Sequence, residues 1–210
     1  MGNVPNSDEW LVFLGTAIVF AVTPGPALLY VLARSLNGGR REGVLSALGN
    51  SIGTTGHVLA AAAGLSALLA ASPALFLAVK FMGAAYLALL GLLAIRNRRG
   101  QVGTGPAASP GGTRSPVLQG VVVEMLNPKT ALYFMALLPH FVHPERAAPS
   151  VVFCLLGVVV VVIALTTDVV VALTAGRLHR RLAADVRWQV RQRAGSGVVM
   201  IGLGTFVAVT

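Results

Sequence analysis

The feature that most limits the fold of this chain is a series of apolar runs, each near the length that crosses a lipid bilayer. A helical span needs about 20 mostly apolar residues. Such runs fall near 10–32, 43–70, 74–95, 117–139, 151–175 and 195–210. Only 11% of the residues are charged and 55% are hydrophobic, whereas a soluble domain carries about a quarter charged. Too little polar surface exists to cover a water-soluble globule, so lipid must cover the rest. The chain therefore reads as an all-α membrane protein with about six transmembrane helices. No hydrophilic stretch is long enough to fold alone, so residues 1–210 read as a single transmembrane domain. Asp8 and Glu9 precede the first run, unlike the basic flank of a secretory signal, and this run is expected to be retained.

The basic residues set the expected orientation. Arg34, Arg40 and Arg41 follow the first run, and Arg96, Arg98, Arg99 and Arg114 follow the third. Arg177, Arg180, Arg181, Arg187, Arg191 and Arg193 follow the fifth, bringing the alternate loops to 13 of the 16 Lys and Arg. Cytoplasmic loops carry this excess, so both termini are expected outside, with Arg146 the one basic residue in an opposite loop. The same rule accounts for the net charge of +9 without a nucleic-acid partner. Segment 100–116 is rich in Gly, Pro, Ser and Ala. It places a flexible cytoplasmic linker at 100–114 between halves at 8–99 and 115–210. Leu178, Leu182, Val186 and Val190 recur at every fourth residue among arginines, which predicts an interfacial helix over 177–193 on anionic lipid. Ser72-Pro73 predicts a tight hairpin between the second and third spans, and the sixth is rich in small residues (Gly195, Gly197, Gly202, Gly204) that suit close packing.

The two halves resemble each other at an offset of 104, which lays Thr23-Pro24-Gly25-Pro26-Ala27-Leu28 over Asn127-Pro128-Lys129-Thr130-Ala131-Leu132 and Gly53 over Gly157. Three spans per half make the second half inverted relative to the first, an arrangement of transporters whose helices are interrupted at matching positions. Proline inside a helix removes a backbone donor and clashes with the preceding turn, and the residue before it is pushed out of helical geometry. Both spans should break and restart, with Thr23 and Asn127 as N-caps and Pro24 and Pro128 at the first helical position. A helix that restarts at mid-membrane depth presents unpaired amides and a partial positive charge. Such ends must face protein or a wet cavity and suit a carboxylate. The alternative for each is a proline kink without a ligand.

Ionisable residues inside spans are functional candidates by default. Glu124 stands four residues before Pro128, and Lys129 starts the new half-helix. A cation there opposes the helix dipole, so a carboxylate partner or an anionic ligand is expected, with Glu124 and Asp168 as candidates. Lys80, in the third span, is a further candidate, although it has the length to snorkel to the outer interface. In the second span Gly49 and Gly53 suit close helix packing, while Asn50 is positioned either to pack or to line the cavity. The same span carries Thr54, Thr55 and His57. His140, His143 and His179 fall at span ends, where solvation is expected. No cluster has metal-ligand spacing, no Walker motif is present, and no cofactor is implied. The lone Cys154 reads as a packing residue.

At these residues the sequence resembles the lysine exporter (LysE/RhtB) family of amino-acid efflux proteins. The resemblance is carried by Thr23-Pro24-Gly25-Pro26 in the first span, by Gly39, Gly43, Gly49 and Gly53, and by Gly83-Ala84-Ala85-Tyr86-Leu87 in the third. The fourth span adds Leu126-Asn127-Pro128-Lys129, Tyr133-Phe134 and Pro139-His140-Phe141. His140 departs from the family, in which many members carry Gln. The resemblance implies export of amino acids or their derivatives across the bacterial inner membrane, driven by the proton motive force and without enzymatic chemistry. On that expectation Thr23, Pro24, Gly25, Pro26, Asn50, Asn127, Pro128 and Lys129 bind substrate. Asp168 or Glu124 holds its ammonium or a coupling proton, and Lys80 is a further candidate for proton or charge coupling. The alternatives are export of another solute or a metal ion, an ion channel, and a membrane redox protein, for which one cysteine is too few. Basic, branched and hydroxylated amino acids all remain open as cargo, as does a homo-oligomer.

Overall fold

The computed structural model of the chain describes residues 7–65, 67, 71–96, 115–143, 147–183 and 186–209. Seven α-helices and no strands occur among them: α1 (Ser7–Val22), α2 (Pro26–Ala60), α3 (Pro73–Arg96), α4 (Pro116–Met125), α5 (Pro128–Leu132), α6 (Pro149–Ala183) and α7 (Val186–Val209). Five of the seven open on proline, whose fixed φ and missing N–H suit the first helical position. A π-turn at Ala61–Leu65 extends α2. A second, at Tyr133–Leu137, followed by a 3₁₀ turn at Leu138–Phe141, extends α5.

The 35 residues of α2 form two antiparallel arms. Gly39 has φ 80, a left-handed conformation that glycine adopts without steric cost, and the chain reverses there. Asn50 Nδ2 consequently donates to Ala27 O at 3.2 Å, Val31 packs on Ala47, and Ser35 lies against Gly43. The loop that the basic residues mark is therefore this single turn. Ser72 immediately precedes α3, its hydroxyl accepting from Leu75 N at 3.3 Å, and residues 66 and 68–70 of the expected hairpin lie outside the described residues.

Pro149–Ala175 is long and apolar enough to cross a membrane by itself. Asp8–Val22 with Pro26–Leu65, and Pro116–Met125 with Pro128–Phe141, qualify when each bent pair is taken together, and each bends by 47° at its break. The first pair contains two passes because α2 doubles back. With α3 and α7, 24 residues each, the chain makes six helical passes, three in each half. The halves are inverted. His143 Nε2 contacts Glu9 Oε1 at 3.1 Å and Phe141 meets Phe13 at 5.3 Å, so the fourth pass ends where the first begins. Tyr30 OH donates to Pro116 O at 3.1 Å, so the fourth begins where the first ends. The second pass packs on the fifth, and the third on the sixth.

Two boundaries differ from the sequence reading. Among the described residues no separate interfacial helix stands at 177–193. Instead α6 continues to Ala183 and α7 starts at Val186, so the sixth pass begins near 186 rather than 195. The reason lies in length: 35 helical residues rise about 52 Å against a hydrocarbon core of about 30 Å, so the arginine-bearing end of α6 is an overhang of the span itself. The side chains of Leu178, His179, Leu182 and Val186, the linker 100–114 and Arg146 lie outside the described residues.

The return arm of α2 approaches α4 at backbone distance. A Cβ on Gly49 would strike the carbonyl of Val117, and one on Gly120 would come within 2.7 Å of Ser46 O. Gly49→Ala must therefore push the two helices apart. It is expected to cost about 1–3 kcal/mol, read as a lower thermal unfolding midpoint in detergent. Gly15→Ala, where nothing lies within 4 Å, should leave the midpoint unchanged or raise it, since alanine favours helix over glycine.

Candidate functional site

The two broken spans meet at their breaks. In the second half the break follows the sequence reading. Asn127 caps α5, its side chain accepting from Lys129 N at 3.1 Å, with Pro128 in the first helical position. In the first half it does not. Thr23 is no cap: its hydroxyl turns back to Val19 O at 2.5 Å, Gly25 is the N-cap residue without a side-chain bond, and α2 starts at Pro26. The reason is the second proline. Gly25 precedes Pro26, so it is pushed out of helical geometry and stands extended at φ −138, ψ −179. A helix started at Pro24 would break one residue later. The helix starts thus repeat at an offset of 102 and not 104.

Lys129 joins the breaks. Its Nζ donates to Phe20 O and Thr23 O, both at 2.6 Å, and lies 4.3 Å from the centroid of the Phe20 ring. The sequence pointed to a carboxylate partner. The structure supplies the C-terminal carbonyls of α1 instead, which lack intrahelical donors and carry the negative end of the helix dipole. Neither Glu124 nor Asp168 forms an ion pair with Lys129, although both lie within its electrostatic reach. The backbone of Gly25 runs against the Lys129 stem, where a Cβ would come within 2.9 Å of Cδ.

The two carboxylates differ in their surroundings. Both carboxylate oxygens of Glu124 are engaged. Thr54 donates to Oε1 at 3.0 Å, Asn127 Nδ2 donates to Oε2 at 3.0 Å, and His57 Nε2 lies 3.0 Å from its backbone oxygen. Asp168 takes one hydrogen bond, to Oδ2 from Asn50 Nδ2 at 2.8 Å. All these polar side chains except His57 are buried. Between them lies a cavity of about 30 Å³ lined by Gly25, Ala27, Asn50, Glu124, Lys129 and Asp168, among others. That space holds about one water molecule. Ala27 and Leu28 also line it, and their first-turn amides have no intrahelical carbonyl to bond.

Most of the sequence-selected residues are thus gathered at one place: Thr23, Gly25, Pro26, Asn50, Glu124, Asn127, Pro128, Lys129 and Asp168. Lys80 stands apart. It is buried on α3 and lies within electrostatic reach of His140, which also feels His143 and Glu9. His140 and His143 are half-buried rather than solvated. His140 packs edge-on to Phe141 and Phe206, and His143 meets Glu9. Thr54 was named in the sequence only among polar packing residues. Its spacing of four from Asn50 puts both on one face, which is the signal that would have found it. Phe20 and the amides of Ala27 and Leu28 carried no signal of their own.

Comparison with known proteins adds a second line of information. The family model described as LysE type translocator matches residues 18–210. The chain is 30% identical to an uncharacterized membrane protein of Pseudomonas aeruginosa, over 96% of this chain and 95% of that one. It is 28% identical to a homoserine/homoserine lactone efflux protein of Salmonella typhimurium, over 93% and 94% of the two chains. A leucine efflux protein of Klebsiella pneumoniae is 29% identical, over 74% and 73%. No solved structure matches the chain.

Asn127 both caps α5 and holds Glu124. Asn127→Ala removes both bonds and is expected to cost about 1–3 kcal/mol, measured by thermal unfolding in detergent. Thr55→Ala, which deletes an exposed hydroxyl bonded only to Ser51 O, should stay within about 0.5 kcal/mol of the parent.

Proposed function

Since the chain belongs to the LysE type translocator family, we propose that it is a transporter exporting amino acids or close derivatives from the cytoplasm, in exchange for protons. The observation that carries this reading is the buried meeting of two broken helices around a half-satisfied carboxylate. The α2 amides at Ala27 and Leu28, with the ammonium of Lys129 beside them, suit a substrate carboxylate. Asp168, with one oxygen unbonded, suits an ammonium or a proton. Glu124, already bound to Thr54 and Asn127, holds the second break in place. The efflux proteins of leucine and of homoserine among the relatives support cargo of this class.

On this reading the protein lies in the bacterial inner membrane with both termini outside, and 8–99 and 115–210 act as two halves of one unit. A cavity of about 30 Å³ is smaller than an amino acid, so cargo enters only when the halves part, alternately on each side. Lys80, remote from the cavity, takes no part in binding cargo.

Cells expressing the protein and loaded with leucine or homoserine should release either or both faster than cells without it. A protonophore should abolish the difference. Asp168→Asn should lower export at least about tenfold, the scale of one lost charged contact, while the protein remains in the membrane fraction. Export that survives Asp168→Asn would remove Asp168 from the mechanism, and export that ignores the protonophore would remove proton exchange.

A further inference from the structure

Asn50 is 3% exposed and lines the central cavity. Its Nδ2 has two partners, Asp168 Oδ2 at 2.8 Å and Ala27 O at 3.2 Å. Both are acceptors, so the orientation of the carboxamide is dictated by its neighbours: reversed, its oxygen would face a carboxylate and a carbonyl. This orientation leaves Asn50 Oδ1 buried without a partner, an arrangement that native interiors rarely tolerate without a reason. The other donors of the cluster are engaged. Thr54 and Asn127 donate to Glu124, and Lys129 donates to the α1 carbonyls. Apart from the third N–H of Lys129, what the cluster still offers is a pair of acceptors without a bond, Asn50 Oδ1 and the second oxygen of Asp168.

Resting on the amino-acid reading above, we infer that Asn50 sets specificity for a primary ammonium, and that turning of its carboxamide relays the protonation of Asp168 to that seat. With Asp168 ionised, the two acceptors take two N–H groups of the cargo ammonium. A proton arriving on Asp168 Oδ2 makes that oxygen a donor, which opposes Asn50 Nδ2. The carboxamide turns, Oδ1 accepts the new proton, and Nδ2 faces the cavity. The turn gives up the bond to Ala27 O and sets Oδ1 beside that carbonyl, a cost that the new bond from the protonated carboxyl has to outweigh, while Ala27 O keeps its helical partner within α2. The seat then presents N–H to the ammonium and rejects it, so one proton displaces one cargo ammonium group. Glu124 and Lys129 are the other charged groups facing Asp168, and both remain in their own hydrogen bonds throughout.

The test is competition in vesicles containing the purified protein, with radiolabelled leucine or homoserine exchange as the signal. The competitors are leucine, N-methylleucine and N,N,N-trimethylleucine, which keep the positive charge while losing N–H groups. The trimethyl form should compete about tenfold or more worse than leucine, as expected where a site built for N–H donors is offered none. N-methylleucine, with two N–H groups left, should fall between them. The gap between leucine and the trimethyl form should narrow as the pH is lowered. Asn50→Leu, which keeps the side-chain volume and removes both polar atoms, should close the gap and flatten its pH dependence. The methylation series on the unaltered protein decides the matter where that variant fails to fold. Equal competition by leucine and the trimethyl form, or a gap that survives in Asn50→Leu, overturns the inference while leaving amino-acid export standing. Vesicles that exchange neither leucine nor homoserine overturn the amino-acid reading and this inference with it.

Discussion

The fold depends on the ammonium of Lys129 seated on the last carbonyls of α1. Backbone in the bilayer interior has no water to bond, so a helix can be interrupted there only where protein satisfies the ends. The first broken span leaves carbonyls at Phe20 and Thr23, and the second span supplies the donor, 2.6 Å from each. One side chain thereby closes an interruption in the other half of the molecule and fixes the two breaks opposite each other. It also gives a buried cation compensation that no carboxylate has to provide. Glu124 and Asp168 remain available for other work.

That freedom explains why two carboxylates in one polar cluster have different roles. Glu124 faces the second break and is taken up by Thr54 and Asn127, so it acts as a splint between the return arm of α2 and the cap of α5. Asp168 arrives from α6 and meets only Asn50. The inverted repeat makes this asymmetry usable. Each pass packs on its counterpart, first on fourth, second on fifth and third on sixth. The breaks lie at the centre of the first pair, and the second pair brings Asn50 and Asp168 alongside.

Much of this was legible in the sequence because proline and charge act locally. Pro24, Pro26 and Pro128 announce interruptions inside apolar runs, and the alternation of arginine-bearing loops orders the passes. The register of the first break was misread, yet the rule that corrects it is also local: with two prolines spaced by one residue, the second decides where a helix can start. The ends of the fifth and sixth passes were misplaced for a different reason. Arginines at 177–193 resemble a surface helix in composition, and composition does not distinguish a separate helix from the overhang of a long one. The partner of Lys129 was beyond any local rule, because carbonyls at Phe20 and Thr23 look like all others until a break leaves them without donors. Asn50 and Asp168, 118 residues apart, could be nominated singly but not paired.

The unpartnered oxygen of Asn50 follows from the same constraint that placed Lys129. In a membrane interior, every donor recruited to close an interruption is one that a ligand cannot use. Thr54 and Asn127 are recruited in this way, Lys129 gives two of its three N–H groups to the α1 carbonyls, and Asn50 spends its own on Ala27 and Asp168. The side chains left at the cavity therefore offer mainly acceptors, and the amides without an intrahelical carbonyl belong to the first turn of α2. A site with amides on one side and acceptors on the other is complementary to a molecule carrying a carboxylate and an ammonium on neighbouring atoms. The polarity of the cavity is thus a residue of how the breaks were stabilised.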